Sequence, residues 1–194
     1  MSDTLYFERR ASDAHLEEAD EKACIAAVFG RHGSLKKVLV VPPDITRANS
    51  RAGALTRAAV AWLAAHAPDC TVNILPAVGT HFSMTAGEKR EMFGDLPDRM
   101  FLTHSWRNNL SHLGQVPGTL LSEVSDGKVD YPIDVDIDTA LVEGGYDLIL
   151  SIGQVVPHEV IGMANGNKNI LVGVGGADTI NKSHFLGAVC NMET

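Results

Sequence analysis

Short apolar runs separated by polar, glycine-bearing loops set the rhythm of this chain. Lys36–Pro42, Cys70–Pro76 and Tyr146–Ile152 are rich in β-branched and other apolar residues. Such near-continuous runs predict strands covered on both faces, as in a parallel sheet. Arg99–Thr103 and Ile170–Val174 predict two further short strands, and Thr4–Glu8 one more at the start. Helical signals fall between them. Leu16, Ala23, Ala26 and Ala27 share one face of a helix over 15–29, and Ser50 predicts an N-cap for a helix running to His66. Thr85-Ala-Gly-Glu88 has capping-box spacing ahead of a helix to Phe93, Asp138 caps a helix over 139–143, and 178–190 predict the last helix. One stretch breaks the alternation. Leu120–Val124 and Val129–Val135 flank Asp126-Gly127, which predicts a hairpin with a tight turn. The pattern predicts an α/β fold, three-layer α/β/α, with a mainly parallel, Rossmann-like sheet and a small antiparallel hairpin insertion.

In an open parallel sheet, ligands bind beyond the carboxyl ends of the strands. Asp44, Arg47, His81 and His158 each follow a predicted strand. They are therefore expected to line one cleft. His104 also follows one, without further support. Thr46 and Arg47 sit before a predicted helix and suit a phosphate or carboxylate. The stretch from Gly153 to His184 places His158, Lys168 and His184 among six glycines. An imidazole is a metal ligand or base, and a primary amine is a nucleophile or tether. The chain has no GxxxxGK[ST], GxGxxG or GxSxG pattern, and His158-Glu159 lacks the second histidine of a zinc-protease motif.

Composition narrows the class. The 194 residues carry a net charge of −8, with 45% hydrophobic and 21% charged residues. That suits one soluble globular domain and opposes a nucleic-acid binder, which would show a basic face. Cys24, Cys70 and Cys190 are too far apart for a disulfide framework, so a reducing cytoplasm is expected. No apolar run approaches the roughly 20 residues of a membrane span, and the charged N-terminus has no signal-peptide core.

Taken together, Asp44-Ile-Thr-Arg47, Gly79-Thr-His81 ahead of Thr85-x-x-Glu88, Pro157-His158, Lys168 ten residues later and His184 sixteen beyond that resemble the N-terminal domain of the nickel-dependent lactate racemase family. The resemblance covers about residues 30 to 194. It implies an N-terminal extension over 1–30, a cofactor-binding domain over 31–194, and a further C-terminal domain that this sequence does not contain. It also implies a nickel pincer nucleotide, built from nicotinic acid and joined covalently to Lys168, with His184 as nickel ligand. His81 and His158 would be the two acid–base groups, and Asp44, Thr46 and Arg47 would meet the cofactor's phosphate end. The implied reaction interconverts stereoisomers of a small 2-hydroxy acid, with cofactor-biosynthesis proteins as partners; a homo-oligomer is compatible with all of this. Phe82 stands where the family usually has arginine, and Ala164-Asn-Gly-Asn-Lys168 is bulkier than the usual small-residue run, which points to a substrate other than lactate. Two alternatives stay open: a non-catalytic module that binds a nucleotide or nickel cofactor, and a zinc hydrolase using His81, His158 and His184.

Overall fold

A computed structural model of the chain describes residues 7–8 and 15–190. In chain order the elements are α1 (Glu18–Phe29), β1 (Lys37–Val41), a 3₁₀ segment (Ile45–Ser50), α2 (Ala52–His66), β2 (Thr71–Ile74), α3 (Ala86–Phe93), a short 3₁₀ turn (Asp98–Met100), β3 (Leu110–Val116) and α4 (Gly118–Val124). Then follow β4 (Ile133–Asp138), α5 (Thr139–Glu143), β5 (Leu148–Ser151), β6 (Pro157–His158), β7 (Gly162–Met163), α6 (Asn167–Leu171) and α7 (Ala177–Val189).

Strand β1 is the centre of a three-stranded parallel sheet in the order β2-β1-β5. Its residues Val38, Leu39, Val40 and Val41 are all fully buried, but on two faces. Val38 and Val40 pack with Ile25 and Phe29 of α1, Ala59 and Leu63 of α2 and Phe93 of α3. Leu39 and Val41 pack on the other side with Leu75, Val174, Leu141 and Ile170. Alternation along one strand thus covers both faces and makes three layers. Each such side chain contributes roughly 1.5–3 kcal/mol relative to exposure, which is why a strand of unbroken apolar character ends up in the middle. Helix α1 lies in the stretch read as an extension, yet Ile25 and Phe29 belong to this core.

Helix α3 begins as the sequence indicates: Thr85 and Glu88 form a reciprocal capping box. Asp138 caps α5 by accepting from the Ala140 amide at 3.0 Å. Four expectations need correction, and the Thr4–Glu8 strand lies outside the described residues apart from Phe7 and Glu8, which are not in a strand. Ser50 does not occupy the N-cap position of α2, although its Oγ accepts from the Ala52 amide at 3.3 Å. The chain coils through 45–50, and Arg51 takes the N-cap in a left-handed conformation (φ 60°), held by an ion pair to the buried Glu21. Residues 99–103 form no full strand; Phe101 makes a single parallel bridge to Ile74, and the Leu102 amide donates to the Ile74 carbonyl at 2.8 Å.

The antiparallel element exists, but its strands are β3 and β4, and residues 118–124 between them are helical. Asp126 and Gly127 both have positive φ, and the Gly127 amide donates to the Ser122 carbonyl at 2.7 Å. The Asp-Gly pair therefore stops a helix instead of turning a hairpin, because both tasks demand left-handed backbone. Residues 167–171 are helical too, where Ile170–Val174 reads as a strand. A short apolar run carries no period that separates a strand from a buried helix turn. Here the deciding contact is Asn169: its buried amide donates to the Val41 carbonyl at 2.8 Å and to Ser151 Oγ at 3.0 Å, laying α6 across the ends of β1 and β5.

Candidate active site

The cleft that collects the predicted residues opens at the carboxyl edge of the parallel sheet and encloses about 260 Å³. Asp44, Thr46, Arg47, His81, His158, Lys168 and His184 all line it. Parallel pairing accounts for the first four. The β1–β2 ladder continues through a Pro43–Ala77 bridge, so the loops carrying Asp44–Arg47 and His81 leave the sheet side by side. The third loop follows β5 and runs through β6 to His158. Gly173 lets α6 close against this edge. A Cβ there would lie 2.6 Å from Ala77 Cβ and 2.4 Å from the Asn169 carbonyl oxygen, and the Gly173 carbonyl accepts from the Gly79 amide at 2.8 Å. Close approach of backbone to backbone, not to a ligand, explains that glycine.

Helix α7 brings His184 into the site by docking on β4. Thr179 Oγ1 donates to the Asp134 carbonyl at 2.7 Å, and the Asp134 amide donates to Asp178 Oδ2 at 2.8 Å. His184 Nδ1 lies 2.7 Å from the Ile180 carbonyl oxygen. A carbonyl only accepts, so Nδ1 carries the proton and Nε2 keeps its lone pair. This is the arrangement of metal-binding histidines, whose second nitrogen donates to a carbonyl or carboxylate.

The two other histidines are held in opposite ways. His81 Nδ1 lies 2.7 Å from Asp44 Oδ2, so its Nε2 is an acceptor. His158 Nδ1 instead accepts from the Val160 amide at 3.1 Å and the Ile161 amide at 3.4 Å, so its proton sits on Nε2, 3.5 Å from Glu159 Oε2. Burial holds the His158 imidazole below its ordinary range, and the nearby Lys168 charge adds to this. The His158 and His184 rings meet edge to face, with centroids 6.0 Å apart.

Lys168 sits in α6, half-buried. Burial, and then the Arg47 guanidinium, lower its amine below the ordinary lysine range. A lowered value leaves more free amine at a given pH, which favours nucleophilic attack on an acyl group. At about pH 8, well under the lysine value of about 10.4, an acylating reagent is expected to label Lys168 ahead of the exposed Lys36. Replacing Arg47 with alanine removes the like charge, raises the amine's pKa and should slow that labelling. Peptide mass mapping over a time course reads both effects; equal labelling of the two lysines, unchanged in R47A, would show that Lys168 is an ordinary surface amine.

Sequence reasoning assigned no role to two residues of this site. Asn165, at φ 58°, lines the cleft with a buried Oδ1 that has no hydrogen-bond partner among the described residues. Glu159 places its carboxylate near His158. The sequence showed Asn165 only as part of a bulky run beside Lys168 and Glu159 only as the neighbour of His158. His104 does not join the site. Its side chain is wholly buried between Asp138 and the Gly175 carbonyl.

A family model for the lactate racemase N-terminal domain matches residues 16–194. The chain belongs to the lactate racemase N-terminal domain family. A lactate racemase from Thermoanaerobacterium thermosaccharolyticum is 31% identical over 117 residues, which cover 58% of this chain and 24% of the relative. A crystal structure of a Thermotoga maritima protein superposes with a TM-score of 0.80 at 26% identity, over 90% of this chain and 42% of that one. The lactate racemase apoprotein from T. thermosaccharolyticum shares the fold, with a TM-score of 0.62 at 21% identity, over 82% of this chain and 38% of its own. The chain thus spans less than half the length of these relatives. The family match starts at residue 16 and so includes α1, in keeping with its place in the core.

The side chains suit the nickel pincer nucleotide that the lactate racemase resemblance implies. Lys168 offers an amine with no hydrogen-bond or ion-pair partner shown among the described residues, His184 offers an Nε2 lone pair, and Asn165 Oδ1 is an orphaned acceptor. Thr46 and Arg47 are exposed on the cleft beside them.

Proposed function

We propose that this chain is the cofactor-binding part of a 2-hydroxy-acid racemase or epimerase, with Lys168 as the covalent tether and His184 as the nickel ligand. The observation that carries the reading is the opposite setting of His81 and His158 on one cleft. With the hydride acceptor on one side, inversion requires the planar carbonyl intermediate to turn over before the hydride returns, so the substrate oxygen occupies two positions and an acid–base group is needed at each. His81, with Nε2 open, is set to take the hydroxyl proton of one enantiomer. His158 presents Nε2–H and is set to hold the oxygen of the other hand through a hydrogen bond. For His158 to act as a base its Nδ1 must release the Val160 and Ile161 amides. Arg47 supplies the positive charge that orients a carboxylate or phosphate, although the whole chain is acidic. When bound, the pincer group supplies a hydride acceptor beside a nickel ion that takes imidazole as a ligand.

A zinc hydrolase is disfavoured by the donor set. Among the described residues no three His, Cys, Asp or Glu side chains cluster closely enough to hold a metal. A nickel ion whose remaining donors come from the cofactor requires only one histidine. None of the described helices is long and apolar enough to cross a membrane.

The test is to co-express the chain with the enzymes that build the cofactor and to measure intact mass and nickel content. A covalent adduct on the wild type, absent from K168A, is the expected result. H184A should keep the adduct and lose the nickel. An adduct at another residue, or nickel retained in H184A, would refute the assignment.

A further inference from the structure

We infer that Asp44 is the positioning residue of His81, fixing which ring nitrogen carries the proton, and does not contact the cofactor's phosphate end. The inference rests on the reading of His81 as a proton acceptor. Asp44 is only 4% exposed, and both of its oxygens are occupied. Oδ1 accepts from the Thr46 amide at 3.1 Å and from Thr46 Oγ1 at 2.5 Å, while Oδ2 faces His81 Nδ1 at 2.7 Å. A buried carboxylate in this state has no donor to offer a phosphate and repels its charge. His81 has the complementary need. Its side chain is 58% exposed, and Asp44 is the one side-chain partner shown for it among the described residues. An unrestrained imidazole exchanges between tautomers; one whose Nδ1–H is fixed to a carboxylate keeps Nε2 free and is stabilised once it becomes imidazolium. The backbone makes this pairing durable. Asp44 is the N-cap of the 3₁₀ segment, directly after the Pro43–Ala77 bridge, so the carboxylate is aimed by the segment it caps.

The geometry predicts an unusual response to an isosteric change. In D44N the two donors of Thr46 can be met only by the amide oxygen. The NH₂ must then face His81 Nδ1, and a donor there forces the proton to Nε2. The ring would turn from acceptor to donor with the fold intact.

Two-dimensional NMR of histidine nitrogens in the isotope-labelled apo-protein, at a pH above the ring's titration, reads the tautomer directly. The wild type should show a protonated Nδ1 and a lone-pair Nε2 at His81, and D44N should show the two nitrogen resonances exchanged. The His184 and His104 resonances should stay in place as internal controls of the fold. In the loaded protein D44N should lower kcat by up to about 10⁴-fold, the scale seen where an Asp→Asn change imposes the wrong tautomer. KM and adduct formation at Lys168 should not change. An Nε2–H tautomer at His81 in the wild type overturns the inference whether or not D44N folds. A variant that keeps Nδ1–H but no longer attaches a cofactor also overturns it, and returns Asp44 to the phosphate end. If the tautomer inverts while wild type attaches no group at Lys168, the pairing stands and the racemase reading falls.

Discussion

Replacing His104 with alanine will remove about 1–3 kcal/mol of folding stability, the scale for leaving a buried hydrogen-bond partner unsatisfied. The ring is wholly buried, and the Asp138 side chain is 3% exposed, so water does not screen the contact. His104 Nδ1 lies 2.9 Å from Asp138 Oδ2, and Nε2 lies 3.1 Å from the Gly175 carbonyl. In H104A the Asp138 side chain and the Gly175 carbonyl both lose the ring that faces them, and both stay buried. Against a total of about 5–15 kcal/mol for a typical domain, such a loss is severe. The position explains the reach of the effect. Asp138 also caps α5, and Gly175 pairs with Ile137 just before α7, the helix that carries His184. Urea denaturation of wild type, H104A, D138A and the double variant measures it. Asp138→Ala should cost much less in the H104A background than alone, because the two groups form one unit. A loss below about 1 kcal/mol for H104A would mean that relaxation or water replaces the missing partners.

How much of this was legible in the sequence depends on the kind of signal. Strand β1 was plain because Val38–Val41 is apolar at every position, and only a strand covered on both faces needs that. The site was legible by topology. Residues just past parallel strands must share an edge, and Asp44, Arg47, His81 and His158 do. Where two structures require the same residues, the sequence was silent. Asp126-Gly127 ends a helix as readily as it turns a hairpin, and Ile170–Val172 packs as well from a helix as from a strand. Roles set by partners distant in the chain were also hidden. Nothing near Asp44 announces His81, 37 residues away, and nothing near His104 announces Asp138. A single chain shows which residues are reactive but not which hydrogen bonds they have already made. Those bonds decide whether a histidine is an acceptor, a donor or a buried strut.

On the proposed racemase reading, the same bonds predict how the two cleft histidines would divide the reaction. In the cofactor-loaded protein, replacing either His81 or His158 with alanine should slow turnover by about 10²–10⁴-fold, the usual contribution of a positioned acid–base group. The losses should not be symmetric. Single turnovers started from each enantiomer separate the two oxygen positions. H81A should abolish rapid reaction from the enantiomer whose hydroxyl meets Nε2 of His81 and leave the other partly competent; H158A should do the reverse. The structure adds a difference between them. His81 is ready as found, since Asp44 already holds its other proton. His158 must first give up two backbone donors, and burial opposes its becoming charged. In wild type, therefore, the direction that relies on His158 as base should be the slower of the two single turnovers and the one less affected by H81A. Equal single-turnover rates from both enantiomers in both variants would show that the two rings do not serve the two oxygen positions. One of them would then be a structural residue, and inversion would have to run through a different second base on the cleft, with the Glu159 carboxylate the nearest to His158.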